Sequence, residues 1–192
     1  MPGRQAKVIT HDTLRRMLRH VDRSRQPERD GVIVLLSIRA GLRACEIARL
    51  EWPMVLDARG RIGRDLAIED RIAKNRSGRR IPLHEDLRAA LQGLLSAERR
   101  PIGPVVRSAR GGALKPNSVV NWFVTLFNEL GLQGCSSHSG RRSFITAAAR
   151  ALPRTGGSLR DVQLLAGHRS IQTTQGYIDG DTVSQRRIVA LI

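Results

Sequence analysis

Aromatic residues are scarce in this 192-residue chain: three Phe, two Trp and one Tyr, or 3% of the sequence. A single domain of this length, with or without an appended tail, buries a real core, so aliphatic side chains must fill it. Cysteine is scarcer still. Cys45 and Cys135 are too few for a disulfide framework and lack metal-ligand spacing, which points to a reduced setting. No apolar run approaches the roughly 18 residues of a membrane span, and the start, MPGRQAKVIT, lacks the apolar core of a signal peptide. A soluble, cytoplasmic protein is the expectation. Acidic residues are outnumbered, 17 Asp+Glu against 33 Lys+Arg, for a net charge of +16. Such a chain suits polyanions, DNA and RNA being the commonest in a cell; a ribosome-associated or simply soluble basic protein is the competing reading. Lysine is rare among the basic residues, limited to Lys7, Lys74 and Lys115.

Hydrophobic spacing predicts a mainly helical α+β fold with one small antiparallel sheet. Leu14, Met17, Leu18 and Val21 share one face of a helix over residues 10–22, with Thr10 or Asp12 as its N-cap. The nearly uniform apolar run from Gly31 to Ala40 reads as a buried helix ended by Gly41. A further helix follows over Ala44–Glu51, stopped by Trp52-Pro53. Between residues 54 and 84, short apolar runs broken by Asp-Ala-Arg-Gly and Asn-Arg-Ser-Gly suggest two or three antiparallel strands. Helical spacing returns at Leu87, Ala90, Leu91, Leu94 and Leu95. A Pro/Gly-rich loop over 101–117 leads to a helix capped by Asn117 and carrying Val120, Phe123, Val124, Phe127 and Leu130. Three short helices are expected at 139–151, 159–166 and 171–177, the second opened by Ser158 with Asp161 as a capping box. A last amphipathic segment covers 181–191.

Six residues suit a phosphoryl transfer that uses neither metal nor ATP. His138 and Arg141 lie three apart at a helix start. His168 follows Gly167 in a bend, Tyr177 closes the next helix, Arg43 sits at a turn between helices, and Lys74 lies at the tip of the expected hairpin. Two guanidiniums can hold the non-bridging oxygens of an in-line transition state through forked hydrogen bonds. A tyrosine hydroxyl, with a free pKa near 10, becomes nucleophilic once cations favour phenolate and a base accepts its proton. Histidine supplies that base or a hydrogen bond to phosphate, and a lysine on a hairpin can protonate the leaving 5′-oxygen. Taken singly, each residue has a plainer reading: a half-buried packing tyrosine, a surface His/Arg pair, a solvated lysine, an Arg43–Glu46 helix pair. Their order along the chain is what favours chemistry.

AGLRACEIARLEW resembles the first signature of the tyrosine recombinases (the phage integrase family), with Arg after Gly-Leu and an acidic residue three positions on. SHSGRRSFIT resembles their H-x-x-R segment, LLAGHRSIQTTQGYI the block that ends at the nucleophile, and IAKNRSGRRIPL the hairpin that bears their lysine. The resemblance runs from about residue 10 to residue 185. It implies that Arg43 and Arg141 hold the scissile phosphate and that His138 acts as base or hydrogen-bond donor. His168 would contact phosphate or position the nucleophile, Lys74 would be the general acid and Tyr177 the nucleophile, with Glu46 orienting Arg43 from behind. The implied activity is site-specific recombination or integration of double-stranded DNA through a 3′-phosphotyrosine, without cofactor, by four protomers on two sites. A bacterial or phage protein associated with the nucleoid is implied. The implied organisation is a catalytic domain over 1–180 and a tail over 181–192, without the family's N-terminal DNA-clamping domain. The stretch ALPRTGGS, residues 151–158, is a few residues longer than the family's usual loop. A DNA-binding module that keeps the fold without activity, and a supercoil-relaxing enzyme of type IB topoisomerase kind, remain open alternatives.

Overall fold

The computed structural model describes residues 6–98, 101–177, 186, 189 and 190. Among these the chain divides into two compact units, the first running through Phe144 and the second beginning at Ile145. No helix among the described residues is long and apolar enough to cross a membrane.

The first unit is built around α2 (Pro27–Arg39), in which every side chain from Val32 to Ile38 is buried. A helix apolar on all sides must be surrounded. It packs against α1 (His11–Val21), α3 (Ala44–Arg49) and α4 (Glu85–Ala97), while α3 packs on α5 (Pro116–Glu129). Helix α1 begins as its sequence suggests: Thr10 is the N-cap and its hydroxyl accepts from the Thr13 N–H at 3.2 Å. Helix α2 begins four residues before the apolar run, because Pro27 occupies its first turn, where the missing N–H costs nothing. Gly41 follows α2 in the left-handed region (φ 63°), turning the chain into α3. Helix α3 ends at Arg49, two residues before the expected Glu51. Leu50 turns extended, its carbonyl accepts the Val105 N–H at 2.9 Å, and the Trp52 N–H bonds to Gly103 at 3.0 Å, so a passing loop replaces the last helical turn.

The expected sheet has two strands, β1 (Asp65–Ile68) and β2 (Arg79–Pro82), antiparallel with Leu66 opposite Ile81 and Ile68 opposite Arg79. Helix α5 is capped by Lys115, and Asn117 lies inside it, contrary to the sequence expectation. Pro116 decides this, since its fixed φ favours the first helical position. On α5, Phe123 and Phe127 stack with centroids 5.7 Å apart and Trp122 meets Phe123 edge-on at 5.0 Å, concentrating half of the chain's few aromatics on one helix.

Helix α6 (Ser139–Thr155) begins in the first unit and ends in the second. It runs past the expected 151 and takes Pro153 into its final turn, so only the end of ALPRTGGS is loop; Gly156, with φ 67°, stops it. The second unit continues with α7 (Leu159–Ala166) and α8 (Ile171–Gln175), which pack on each other. At the start of α7 the Asp161 carboxylate accepts the Ser158 N–H at 2.7 Å and its hydroxyl at 2.8 Å. Helix α8 ends before Tyr177, whose N–H closes a turn onto Thr174 at 3.1 Å. The amphipathic segment expected at 181–191 lies mostly outside the described residues.

Candidate active site

In the first unit the site starts from a buried carboxylate. Glu46 is fully buried on α3 and accepts four hydrogen bonds. Two come from Arg43, the N-cap of the same helix: its backbone N–H at 3.0 Å and its Nη1 at 3.1 Å. The first is the returning arm of a capping box, and an arginine has no acceptor with which to complete the other arm. The remaining two come from Arg79 on β2, whose Nη1 and Nη2 each reach a different Glu46 oxygen at 3.0 Å, a bidentate pair. Burial alone raises the Glu46 carboxyl, but the hydrogen bonds and charge of Arg79, then those of Arg43, outweigh it and hold the group below its ordinary value.

Arg141, two residues into α6, is buried, and its Nη1 donates to the Gly41 carbonyl at 2.7 Å. The turn that follows α2 thus both leads to Arg43 and receives Arg141. Close packing brings α6 to this turn. A Cβ on Gly140 would lie 2.9 Å from the Ser37 Cβ and 3.0 Å from the Ile38 Cγ1 of α2. His138, which immediately precedes α6, passes its carbonyl to the Arg142 N–H at 2.9 Å. Its imidazole is held below the usual histidine value, first by local desolvation of the ring and then by the positive charges of Arg141, Arg43 and Lys74. Those three cations therefore lie within electrostatic reach of one imidazole. Lys74 is exposed in a 3₁₀ turn over Lys74–Arg76, between the two strands.

The second unit places His168 and Tyr177 together. Gly167 adopts φ 62° and ψ 43° and ends α7 in a left-handed cap. Buried Gln163 then donates its amide to the carbonyls of His168 at 2.9 Å and Arg169 at 3.2 Å, fixing the bend. The His168 Nδ1 lies 2.9 Å from the buried Thr174 hydroxyl, with donor and acceptor set by the ring tautomer, and this leaves Nε2 as the other functional edge. The His168 and Tyr177 rings stack with centroids 5.6 Å apart and planes 25° from parallel.

Of the residues singled out in the sequence, Arg43, Lys74, His138, Arg141 and Glu46 thus gather in the first unit, and His168 and Tyr177 touch in the second. Sequence reasoning missed Arg79, Thr174 and Gln163. Arg79 left a signal: it occupies a rung where strand alternation calls for an apolar residue.

Residues 7–182 match the phage integrase family. The chain belongs to that family. This integrase-family chain is 32% identical over 161 residues to the tyrosine recombinase XerC of Bradyrhizobium diazoefficiens, covering 80% of this chain and 46% of the relative. It is 33% identical over 162 residues to the XerC of a Methylobacterium species, again covering 80% and 46%. It thus spans just under half the length of these relatives. Among solved structures, XerA recombinase superposes with a TM-score of 0.72 at 18% identity, over 100% of this chain and 65% of that one. XerH recombinase bound to a palindromic difH substrate gives 0.70 at 17% identity, over 97% and 54%. These superpositions establish that the integrase-family chain has the recombinase catalytic fold.

Proposed function

We propose that the chain is the catalytic portion of a site-specific DNA recombinase, which cuts and rejoins double-stranded DNA through a covalent bond to Tyr177. One arrangement carries the reading: Arg141 donates to the Gly41 carbonyl at 2.7 Å, on the turn that leads to Arg43, and these guanidiniums with Lys74 bear on His138, a cationic cradle suited to a phosphodiester. In this mechanism Arg43 and Arg141 hold the two non-bridging oxygens and stabilise the charge that builds on them. The Tyr177 hydroxyl oxygen attacks phosphorus and its proton passes to neutral His138. The bond from phosphorus to the 5′-oxygen breaks, and Lys74 protonates that oxygen as it leaves. His168, stacked on Tyr177 and tied to Thr174, sets the pose of the phenol. Attack by a 5′-hydroxyl on the 3′-phosphotyrosine reverses the sequence and reseals the strand. The relatives are recombinases by name, and solved structures of this fold include complexes with DNA; the net charge of +16 suits the same partner. Four protomers on two duplex sites is the assembly that strand exchange between sites calls for.

Trapping tests this directly. The protein is incubated with nicked duplexes drawn from the flanks of its gene, denatured, and run on a gel, and the attachment point in the DNA is mapped. Wild type should give a denaturant-resistant adduct and Tyr177→Phe none. Equal adduct from both proteins refutes the mechanism, and tight binding without adduct identifies an inactive DNA-binding module instead.

A further inference from the structure

We propose that Arg79 is a positioning residue for Lys74: its buried fork onto Glu46 fixes where the Lys74 hairpin stands relative to Arg43. The inference rests on the recombinase reading above. Arg79 pairs across the sheet with Ile68, two rungs from the buried Leu66–Ile81 pair, so the pleat turns it inward. Its side chain is only 4% exposed. An inward rung is ordinarily apolar, and a guanidinium is costly to bury there unless fully paired. A well-packed hydrophobic pair would generally serve stability as well as a buried ion pair, so stability alone explains this one poorly. What a fork adds is orientation. Both Arg79 donors seat on one carboxylate, and that carboxylate also holds the Arg43 N–H and guanidinium.

The hairpin tip transmits this anchor to Lys74. The Gly78 N–H, next to Arg79, donates to the Asp70 Oδ1 at 2.7 Å, and the Ser77 hydroxyl donates to the Lys74 carbonyl at 2.8 Å. A Cβ at Gly78 would lie 2.8 Å from the Ile68 carbonyl oxygen, so the turn is closed tightly on the first strand. Asn75 and Arg76 both take positive φ, 62° and 50°, giving the tip one defined shape. The Gly78 and Ser77 bonds thus brace the turn between Arg79 and Lys74, and through it the Glu46 anchor sets where the Lys74 backbone stands. Loss of the fork should leave the phosphate bound but the leaving oxygen poorly protonated.

A leaving group that needs no proton separates this from a general loss of structure. Single-turnover cleavage is measured on the mapped duplex, with either oxygen or sulfur at the 5′ bridging position; sulfur departs as thiolate without an acid. Arg79→Met should cleave the oxygen duplex slower by about 10²-fold, the scale set by a misplaced catalytic group, with little change in DNA affinity. On the sulfur duplex it should fall within a few-fold of wild type, as Lys74→Met should. Arg79→Lys keeps the charge and loses the fork, so it should fold like wild type and show the same selective defect in milder form. Equal slowing of Arg79→Lys on both duplexes overturns the proposal and assigns Arg79 to Arg43 or to the fold. No adduct from wild type on either duplex overturns the recombinase reading itself.

Discussion

Replacing Glu46 by glutamine probes the buried charge cluster most directly. Oε1 accepts from the Nη1 atoms of both Arg43 and Arg79, and Oε2 accepts from the Arg43 N–H and the Arg79 Nη2. An amide nitrogen in either place faces two donors, so two of the four hydrogen bonds are lost whichever way the amide turns. At about 1.5–3 kcal/mol for each bond to a charged group, the loss is about 3–6 kcal/mol. Breaking buried ion pairs by removing one partner costs about 3–5 kcal/mol, which agrees. Domains have about 5–15 kcal/mol in all, so the variant should fold with a reduced margin. At about 2–4 °C per kcal/mol for this size, Tm should fall by roughly 6–24 °C. The effect depends on pH with a definite sign. Because the folded Glu46 carboxyl lies below its ordinary value, its contribution is complete above about pH 4.5 and is lost as pH falls through the lower folded value. Urea melts followed by circular dichroism at pH 7 and at pH 3 should therefore show a large wild-type advantage at the first and a smaller one at the second. A difference below about 1 kcal/mol, unchanged between the two pH values, would refute the claim that this carboxylate is what holds the two guanidiniums.

Two other outcomes follow from the same geometry. Gly140→Ala should destabilise by about 1–3 kcal/mol through overpacking against Ser37 and Ile38, and Ser37→Gly in the same chain should recover part of it; additive losses in denaturant melts would contradict the contact. The His138 ring should titrate below the ordinary 6.5 by NMR and so be mostly neutral at pH 7, and Lys74→Met should move it upward by removing one of three cations; a value at or above 6.5 in wild type would sink the cationic cradle.

The fold was legible where spacing and punctuation agreed. Leu14, Met17 and Val21 announced α1, and Ser158 with Asp161 marked the start of α7 at the correct residue. The misses came where two local rules competed. Asn117 is a good cap, yet Pro116 fits the first helical turn better and moved the start to Lys115. Pro153 and two glycines made ALPRTGGS look like a loop, but the helix carries through Pro153 and only Gly156 stops it. The candidate site residues could be proposed from short motifs, several of them near punctuation: Gly41 before Arg43, Gly140 before Arg141, Gly167 before His168 and Gly176 before Tyr177. Arg79 could not, since its role depends on a strand register and on a carboxylate 33 positions earlier, neither visible in a short motif.

A solitary phenol has an experimental consequence. Because Tyr177 is the only tyrosine, every signal peculiar to that ring has one origin. Nitration or iodination would label one known atom environment without mutagenesis, and ultraviolet difference spectra of phenolate formation would titrate one oxygen. Stacked against His168, that ring is an optical probe of the proposed nucleophile in unmodified protein.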